Sequence, residues 1–355
     1  MDDTVKFIIL LAIGAIGVFF AFSIIQPGVL DAFGGGTGGS LSANVLSVVG
    51  SARSDDGAEG EMVFYASYDN LQNIHPVRIK DAGGARITNV RTAQNGKTIF
   101  IGTTRGLFVS LDGGLNYKPR SNFSSEAIIL DVIEGKSQGE YFISVYENSR
   151  GALYRTDNDF FTIEKITDFQ REAVYAMYLF GDDVYIGMSN GQLLRYNLTK
   201  KVFETLSEFD QQVTGITYAS DNFMYILLKN GTLYRGAGPY GDFRRVRIPG
   251  GSLFSAASIL QFADDERGAI YIRTKSGIYR STNSGASFAL YDQIPLLANA
   301  IDTFGVQDGN IYILSAGRLY TSSYAGVEWS VREVPYPRPL WQSYFMGGGR
   351  VILTQ

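Results

Sequence analysis

The chain has 355 residues, among them 41 glycines, 22 tyrosines and 23 phenylalanines, with charged residues at only 19% and a net charge of −4. It contains no cysteine, which excludes disulfides and thiolate metal sites, and its single histidine, His75, excludes a histidine-based zinc site. Negative net charge argues against nucleic acid as a partner, which calls for a strongly basic domain, and no metal or cofactor is expected. An aromatic, glycine-rich composition suits many short strands separated by turns.

Residues Phe7 to Ile25 are uncharged and almost wholly apolar. About 19 residues at a rise of 1.5 Å nearly match a bilayer core of roughly 30 Å, so residues 1–25 are expected to be an uncleaved transmembrane anchor. The alternative is a cleaved signal peptide. Against it, Asp2 and Asp3 flank the lone Lys6, and Ala21-Phe22-Ser23 makes a poor cleavage site. Lys6 sets the short N-terminus inside and the bulk of the chain on the extracytoplasmic side of the cell membrane. Residues 26–60 have the composition of a linker: Pro27, the run Gly34 to Ser40, and a small polar stretch from Ser51 to Gly60. A short apolar island, Val45 to Val49, lies inside it as a candidate for docking.

From Glu61 onward the chain repeats. The pattern hydrophobic-aromatic-Ile recurs at Ile99-Phe100-Ile101, Tyr141-Phe142-Ile143, Val184-Tyr185-Ile186, Met224-Tyr225-Ile226, Ile270-Tyr271-Ile272 and Ile311-Tyr312-Ile313, about 40 residues apart, with Arg350-Val351-Ile352 as a weaker seventh. Each of the first six is followed after a turn by another apolar strand, and Asn190-Gly191 and Asn230-Gly231 are strong hairpin signals. Apolar strands also precede each triplet, at 87–90, 128–132, 174–179, 213–218, 259–262, 300–304 and 340–345. The last unit stops two strands short, and the missing pair is available at 62–65 and 74–79. The expected fold is all-β: residues 61–355 form one seven-bladed β-propeller, closed by strands from both ends of the repeat region.

After the first unit's third strand comes Ser110-x-Asp112-x-Gly114-x-x-Tyr117. The spacing suits a turn in which the Asp accepts backbone N–H bonds, the Gly takes positive φ and the aromatic folds back under the hairpin. It returns as Ser281-x-Asn283-x-Gly285-x-x-Phe288 and, more worn, as Ser322-x-Tyr324-x-Gly326-x-x-Trp329. Thr156 to Asp159 and Gly238 to Gly241 hold the same place without the full pattern. Through these motifs the chain resembles the BNR/Asp-box repeat propellers, a superfamily that includes sialidases, sortilin-like receptors, xyloglucanases and photosystem assembly factors. The resemblance implies that these turns are structural and lie away from the ligand face. It favours the sortilin-like and assembly-factor-like members over sialidases. Arg247-Ile248-Pro249 matches a sialidase tripeptide but lies in mid-propeller, where sialidases do not have it.

A glycosidase needs two carboxylates at a set separation. Asp182, Asp183, Asp264, Asp265 and Glu266 are candidates by type, although all fall where acidic turn formers are expected. Asp157-Asn158-Asp159 lacks the glycine of a calcium loop. Loops between second and third strands and between units share one face of a propeller, and they hold Arg86, Arg105, Arg120, Arg150, Arg171, Lys229, Arg247, Arg273, Lys275 and Arg338. Turns of the opposite face hold the acids, among them Asp112, Glu134, Asp157, Asp159, Asp221 and Asp308. The expectation is therefore a non-enzymatic, membrane-anchored scaffold that binds a protein partner, anionic or membrane-embedded, through a basic face. Its binding residues are Arg105, Arg120, Arg150, Arg171, Lys229, Arg247, Lys275 and Arg338. The alternatives are a glycan-binding or glycoside-hydrolase propeller and a structural subunit of a cell-envelope complex.

Overall fold

The hydrophobic-aromatic-Ile triplets become second strands buried on both faces, because each is flanked by strands within its own sheet and covered by neighbouring sheets. A computed structural model describes residues 46–47, 61–67, 71–80, 82–93, 95–238, 242–249, 259–265, 267–291, 294–296, 300–307, 310–323, 328–334, 342–346 and 350–354. The expected anchor at 7–25 lies outside these residues, as do Asp308, Glu266, Tyr324, Gly326 and Arg338. Among the described residues no helix is long and apolar enough to cross a membrane.

The strands are β1 (Leu46–Ser47), β2 (Glu61–Ser67) and β3 (His75–Lys80), followed by six complete four-strand units. Unit one is β4 (Ile87–Thr92), β5 (Ile99–Thr103), β6 (Gly106–Ser110) and β7 (Lys118–Pro119). Unit two is β8 (Ile128–Glu134), β9 (Tyr141–Glu147), β10 (Arg150–Thr156) and β11 (Glu164–Asp168). Unit three is β12 (Val174–Phe180), β13 (Asp183–Met188), β14 (Gln192–Asn197) and β15 (Val202–Glu208). Unit four is β16 (Val213–Tyr218), β17 (Phe223–Leu228), β18 (Leu233–Ala237) and β19 (Arg244–Arg245). Unit five is β20 (Ile259–Asp264), β21 (Ile270–Thr274), β22 (Gly277–Ser281) and β23 (Ala289–Leu290). Unit six is β24 (Thr303–Gln307), β25 (Asn310–Ser315), β26 (Arg318–Ser323) and β27 (Trp329–Glu333).

Each unit is an antiparallel sheet in sequence order. The final pair, β28 (Gln342–Met346) and β29 (Arg350–Thr354), is completed by the earliest long strands, in the order β28-β29-β2-β3. Tyr65 there faces Leu353 and Ser67 faces Val351. First strands neighbour one another as β4, β8, β12, β16 and again as β20, β24, β28, β4, which makes the fold a β-propeller. Outermost strands such as β15 and β27 are mostly exposed, whereas β5, β6 and β13 are buried throughout.

Three features go beyond the sequence reading, which offers residues 45–49 as a candidate for docking but gives no place for them. First, β1 forms inside the expected linker and pairs antiparallel with the free edge of β20, Leu46 opposite Phe262 and Ser47 opposite Gln261. It also touches β16, so a piece of the 26–60 segment belongs to the propeller. Second, the first strands of units one to five each carry a register shift against their second strands, for example between Ile87 and Asn89 and between Ile129 and Asp131. Such bulges bend a strand and re-aim side chains. Third, the bulge in β8 places Asp131, fully buried, where it joins three first strands. Its carboxylate accepts from Asn89 Nδ2 (2.8 Å) and Arg91 Nε (3.2 Å) on β4, and from Met177 N (2.7 Å) on β12. Burial pushes the Asp131 carboxyl above the usual carboxylate range, while the Arg91 guanidinium pulls it back.

The core lies between sheets. Phe100 meets Tyr141 of the next unit edge-on at 4.8 Å between ring centroids, and Tyr225 meets Phe262 at 4.9 Å. Each such pair contributes about 0.5–1.5 kcal/mol beyond its area burial. Tyr185, Tyr225 and Tyr271 are fully buried in this layer. Repetition of one aromatic per second strand is thus what glues each sheet to the next.

Candidate partner-binding face

Turns between second and third strands are stitched to the inter-unit loops by backbone hydrogen bonds. Thr104 N donates to Arg86 O (2.9 Å), Gly106 N to Ala127 O (2.7 Å), Gly151 N to Gln170 O (3.0 Å), Ser189 N to Ala173 O (2.8 Å) and Lys229 N to Gln212 O (2.9 Å). These bonds put both loop sets on one face, as propeller topology requires. Exposed on it are Arg86, Arg105, Arg150, Arg171, Lys229, Arg247 and Lys275.

The exposed cations differ in how they are held. Arg105 donates from Nη1 to Gly83 O at 2.6 Å, which pins it across the preceding loop. Arg120 is half-buried, with its guanidinium 5.4 Å from the Phe160 ring centroid, so it holds two units together and is not presented for binding. Arg273 likewise turns inward, donating to the carbonyls of Ile301 and Asp302, and burial lowers its pKa. Arg150 and Arg171 have no ion pair among the described residues.

These two arginines meet in a cleft of about 640 Å³ lined by Asn148, Ser149, Arg150, Phe169, Gln170, Arg171 and Glu172. Asn148 (φ 52°) and Ser149 (φ 60°) both take left-handed backbone, as a two-residue type I′ hairpin between Glu147 and Arg150 demands. The opposite wall is held by Phe169 N donating to Gly151 O at 2.7 Å. A Cβ on Gly151 would stand 2.0 Å from Glu172 O, so only glycine lets the walls approach this closely. Phe169 is half-buried and packs edge-on against Phe203 at 5.8 Å. Glu172 Oε2 accepts from Ser189 Oγ, and Ser189 Oγ accepts from Ala173 N at 2.9 Å, which fixes the carboxylate at the rim. Two exposed guanidiniums, one anchored carboxylate and an aromatic floor can receive an extended acidic segment or a free carboxylate. Arg150 and Arg171 were legible as candidates; Phe169, Glu172 and the Asn148-Ser149 turn were not, because only the stitching of two loops brings them together.

Four of the five acidic candidates for glycoside chemistry fall on described residues, and each accepts a hydrogen bond or forms an ion pair. Asp183 opens β13 and Asp264 ends β20, both buried in strands and not, as expected, in turns. Asp183 accepts from Asn197 Nδ2 (2.7 Å), and Asp264 accepts from Ser220 N (2.6 Å) and Ser220 Oγ (2.5 Å). Asp265 caps its turn through Arg267 N and Ala269 N, and Asp182 pairs with Lys136.

On the opposite face, Ser110 and Asp112 close their turn. Ser110 Oγ donates to Asp112 Oδ1 (2.7 Å) and accepts from Gly114 N (2.8 Å), while Asp112 accepts from Asn116 N (2.9 Å) and Asn116 Nδ2 (2.8 Å). Those bonds lower the Asp112 pKa to about 2. Tyr117 packs edge-on against Phe64 at 5.6 Å. Ser281, Asn283 and Gly285 repeat the frame, with Ser287 N donating to Asn283 Oδ1 at 3.0 Å and Phe288 buried. Ser322 departs from it and donates to the carbonyl of Glu328, with Trp329 half-buried in β27. A further turn of the same construction stands at Thr156: Thr156 Oγ1 donates to Asn158 Oδ1 (3.0 Å) and accepts from Phe160 N (3.1 Å), and Asn158 Oδ1 accepts from Thr162 N (2.9 Å).

No family model matches the chain, and no curated protein does. Solved structures do match in fold. YCF48 from Cyanidioschyzon merolae superposes with a TM-score of 0.54 at 12% identity, covering 76% of this chain and 95% of that one. A structure titled YCF48 bound to D1 peptide gives 0.54 at 12% identity over 73% and 90%. The extracellular domain of the hybrid two-component system BT4673 from B. thetaiotaomicron gives 0.53 at 16% identity; the match covers 76% of this chain but only 38% of that one. At these identities the likeness is one of fold.

Proposed function

We propose that this protein is a membrane-anchored, extracytoplasmic propeller of seven blades and the BNR/Asp-box type that works without catalysis as a protein-binding or assembly scaffold. The observation that carries the reading is the cleft between the Asn148–Arg150 turn and the Phe169–Glu172 loop, where two arginines without ion pairs among the described residues face solvent on a hydrogen-bonded backbone. Its partner is a protein segment with a carboxylate-rich or C-terminal end, extended enough to lie in the groove between two blades. A similar fold seen with a bound peptide, the YCF48 structure with D1 peptide, supports a peptide-like partner. Lys229, Arg247 and Lys275 on the same face lend longer-range attraction.

The test is a pull-down from native membranes with the full chain, comparing wild type with Arg150→Glu/Arg171→Glu. Loss of at least about tenfold in captured partner, equal to ~1.4 kcal/mol, is expected from removing two charge-assisted contacts. Unchanged capture by the double variant, with its thermal unfolding intact, overturns the reading.

A further inference from the structure

We infer that the face opposite the arginine cleft, at the 111–115 and 157–161 turns, rests on the lipid surface, so that the cleft points away from the membrane. The inference rests on the anchored reading above and adds an orientation to it.

Two independent observations lead there. The first is the direction of β1. Each first strand runs from the inter-unit loop face toward its turn into the second strand, and β20 does so from Ile259 to Asp264. Since β1 is antiparallel to it, with Leu46 opposite Phe262 and Ser47 opposite Gln261, Leu46 is the end of β1 nearer Asp264. The chain preceding Leu46 therefore connects at the end of the propeller that carries the first-to-second-strand turns. Only residues 26–45 separate Leu46 from the apolar stretch Phe7 to Ile25. A chain of that length spans at most about 70 Å even when fully extended, so an anchor at 7–25 draws that end of the propeller toward the bilayer. Entry of the chain at β2, which starts on the arginine face, would by itself place the connection at the other end; the pairing of β1 reverses that.

The second observation is apolar exposure on the same end. Gly113 N donates to Lys97 O (2.8 Å) and Asp159 N to Gly139 O (3.0 Å), so the Ser110 and Thr156 turns share a face with the first-to-second-strand turns. Leu111 is 62% exposed, Leu115 72% and Phe161 86%, the three largest values for large hydrophobics among the described residues. Leu115 and Phe161 hold the same position in their turns, one residue after Gly114 and Phe160, on adjacent units. Repeated side chains of this kind at the tips of neighbouring hairpins suit insertion among headgroups and upper acyl chains. Asp112, Asp157 and Asp182 are exposed on this face, so a zwitterionic surface suffices and anionic lipid is not required.

Because the chain has no cysteine, single-cysteine variants Leu115→Cys, Phe161→Cys and Arg171→Cys each accept one environment-sensitive fluorophore. The full chain is reconstituted in phosphatidylcholine vesicles with and without a quencher placed just below the headgroups. Flotation with the vesicles is checked first. Labels at 115 and 161 are expected to lose more than about half their emission to the quencher, while the label at 171 keeps its own. Flotation with quenching at 171 but not at 115 and 161, or at none of the three, overturns the orientation and leaves the anchor standing. Failure to float overturns both. A Ser47→Cys/Gln261→Cys variant checks the strand pairing: a cross-link is expected on oxidation of the floated protein, and a permanently reduced pair overturns the path assigned to the chain.

Discussion

The turns at Ser110–Tyr117 and Thr156–Ile163 share one hydrogen-bond frame and differ at its fifth residue. In both, a hydroxyl donates to the carboxylate or amide two residues on and accepts the N–H four residues on. Where the first has Gly114 at φ 98°, the second has Phe160 at φ 67°, a backbone region that costs a non-glycine residue about 1–2 kcal/mol. Phe160 is buried, stacked on Tyr141 at 5.2 Å and set 6.0 Å from Phe100. Burying such a ring gains about 1.5–3 kcal/mol, which offsets the strain. Gly285, in the same position of the fifth unit, meets a neighbour that requires glycine there: a Cβ would lie 2.5 Å from Tyr225 Oη of the preceding unit. The residue preceding Phe160 by one unit is Phe100, which has no hydroxyl. The lesson is that glycine in this turn answers to the neighbouring sheet as well as to its own φ.

That comparison can be broken most strongly at Phe160. Phe160→Gly relieves the strain but removes the ring, and a net loss of about 2–4 kcal/mol is expected in denaturant unfolding of the full chain. A gain in stability would mean that the backbone strain outweighs the packing. Next, Gly285→Ala is expected to cost about 1–3 kcal/mol through contact with the Tyr225 hydroxyl and the positive φ. In a Tyr225→Phe background the alanine penalty should shrink, with a coupling of about 1 kcal/mol in the double-mutant cycle. If the penalty is unchanged, φ alone sets the requirement. Ser110→Ala and Thr156→Ala each leave a turn N–H without its acceptor, and losses near ~1 kcal/mol and similar in size would show that the two frames are equivalent.

The smallest effect belongs to Asp112, where the second and third turns carry Asn158 and Asn283. The folded pKa of Asp112, about 2, lies below its unfolded value, so its stabilisation is complete above the unfolded value and is lost as pH falls through about 2. Being exposed, it contributes modestly. Asp112→Asn should leave neutral-pH stability nearly unchanged and flatten the acid limb of the unfolding profile. An acid limb identical to wild type would place the titration elsewhere. The charge-reversal pull-down at Arg150 and Arg171 asks a different question of the opposite face, and none of these turn variants should alter its result.

Much of the fold was legible because it repeats. An aromatic in each second strand and a Gly or Asn-Gly turn after it recur at a spacing that only a repeated sheet explains, and the missing strands could be counted. The Thr156 turn was legible only by its place in the repeat: with Phe at the glycine position its hydrogen-bond frame is hidden until the ring is seen to pack beside Phe100. The first-strand bulges and the burial of Asp131 escaped for the same reason, since neither local propensity nor periodicity reports what the adjacent sheet presents. Among the cations, sequence placed Arg105, Arg120, Arg150 and Arg171 on one set of loops. It had no means of separating Arg105, pinned on Gly83 O, or Arg120, set against Phe160, from the two that meet in the cleft.

By itself, then, the amino-acid sequence determined the all-β repeat, the strand positions, the closure by residues from both ends and the residue types offered on each face. These follow from periodicity and turn chemistry, which are local. Tertiary structure decided which arginines stand in the cleft without an ion pair among the described residues, which acids are consumed by turns, and where residues 46–47 lie. Those outcomes depend on pairs more than a hundred residues apart, such as Leu46 and Phe262, or on loops brought together only when adjacent sheets pack. Long-range pairing of that kind leaves no periodic trace in the chain.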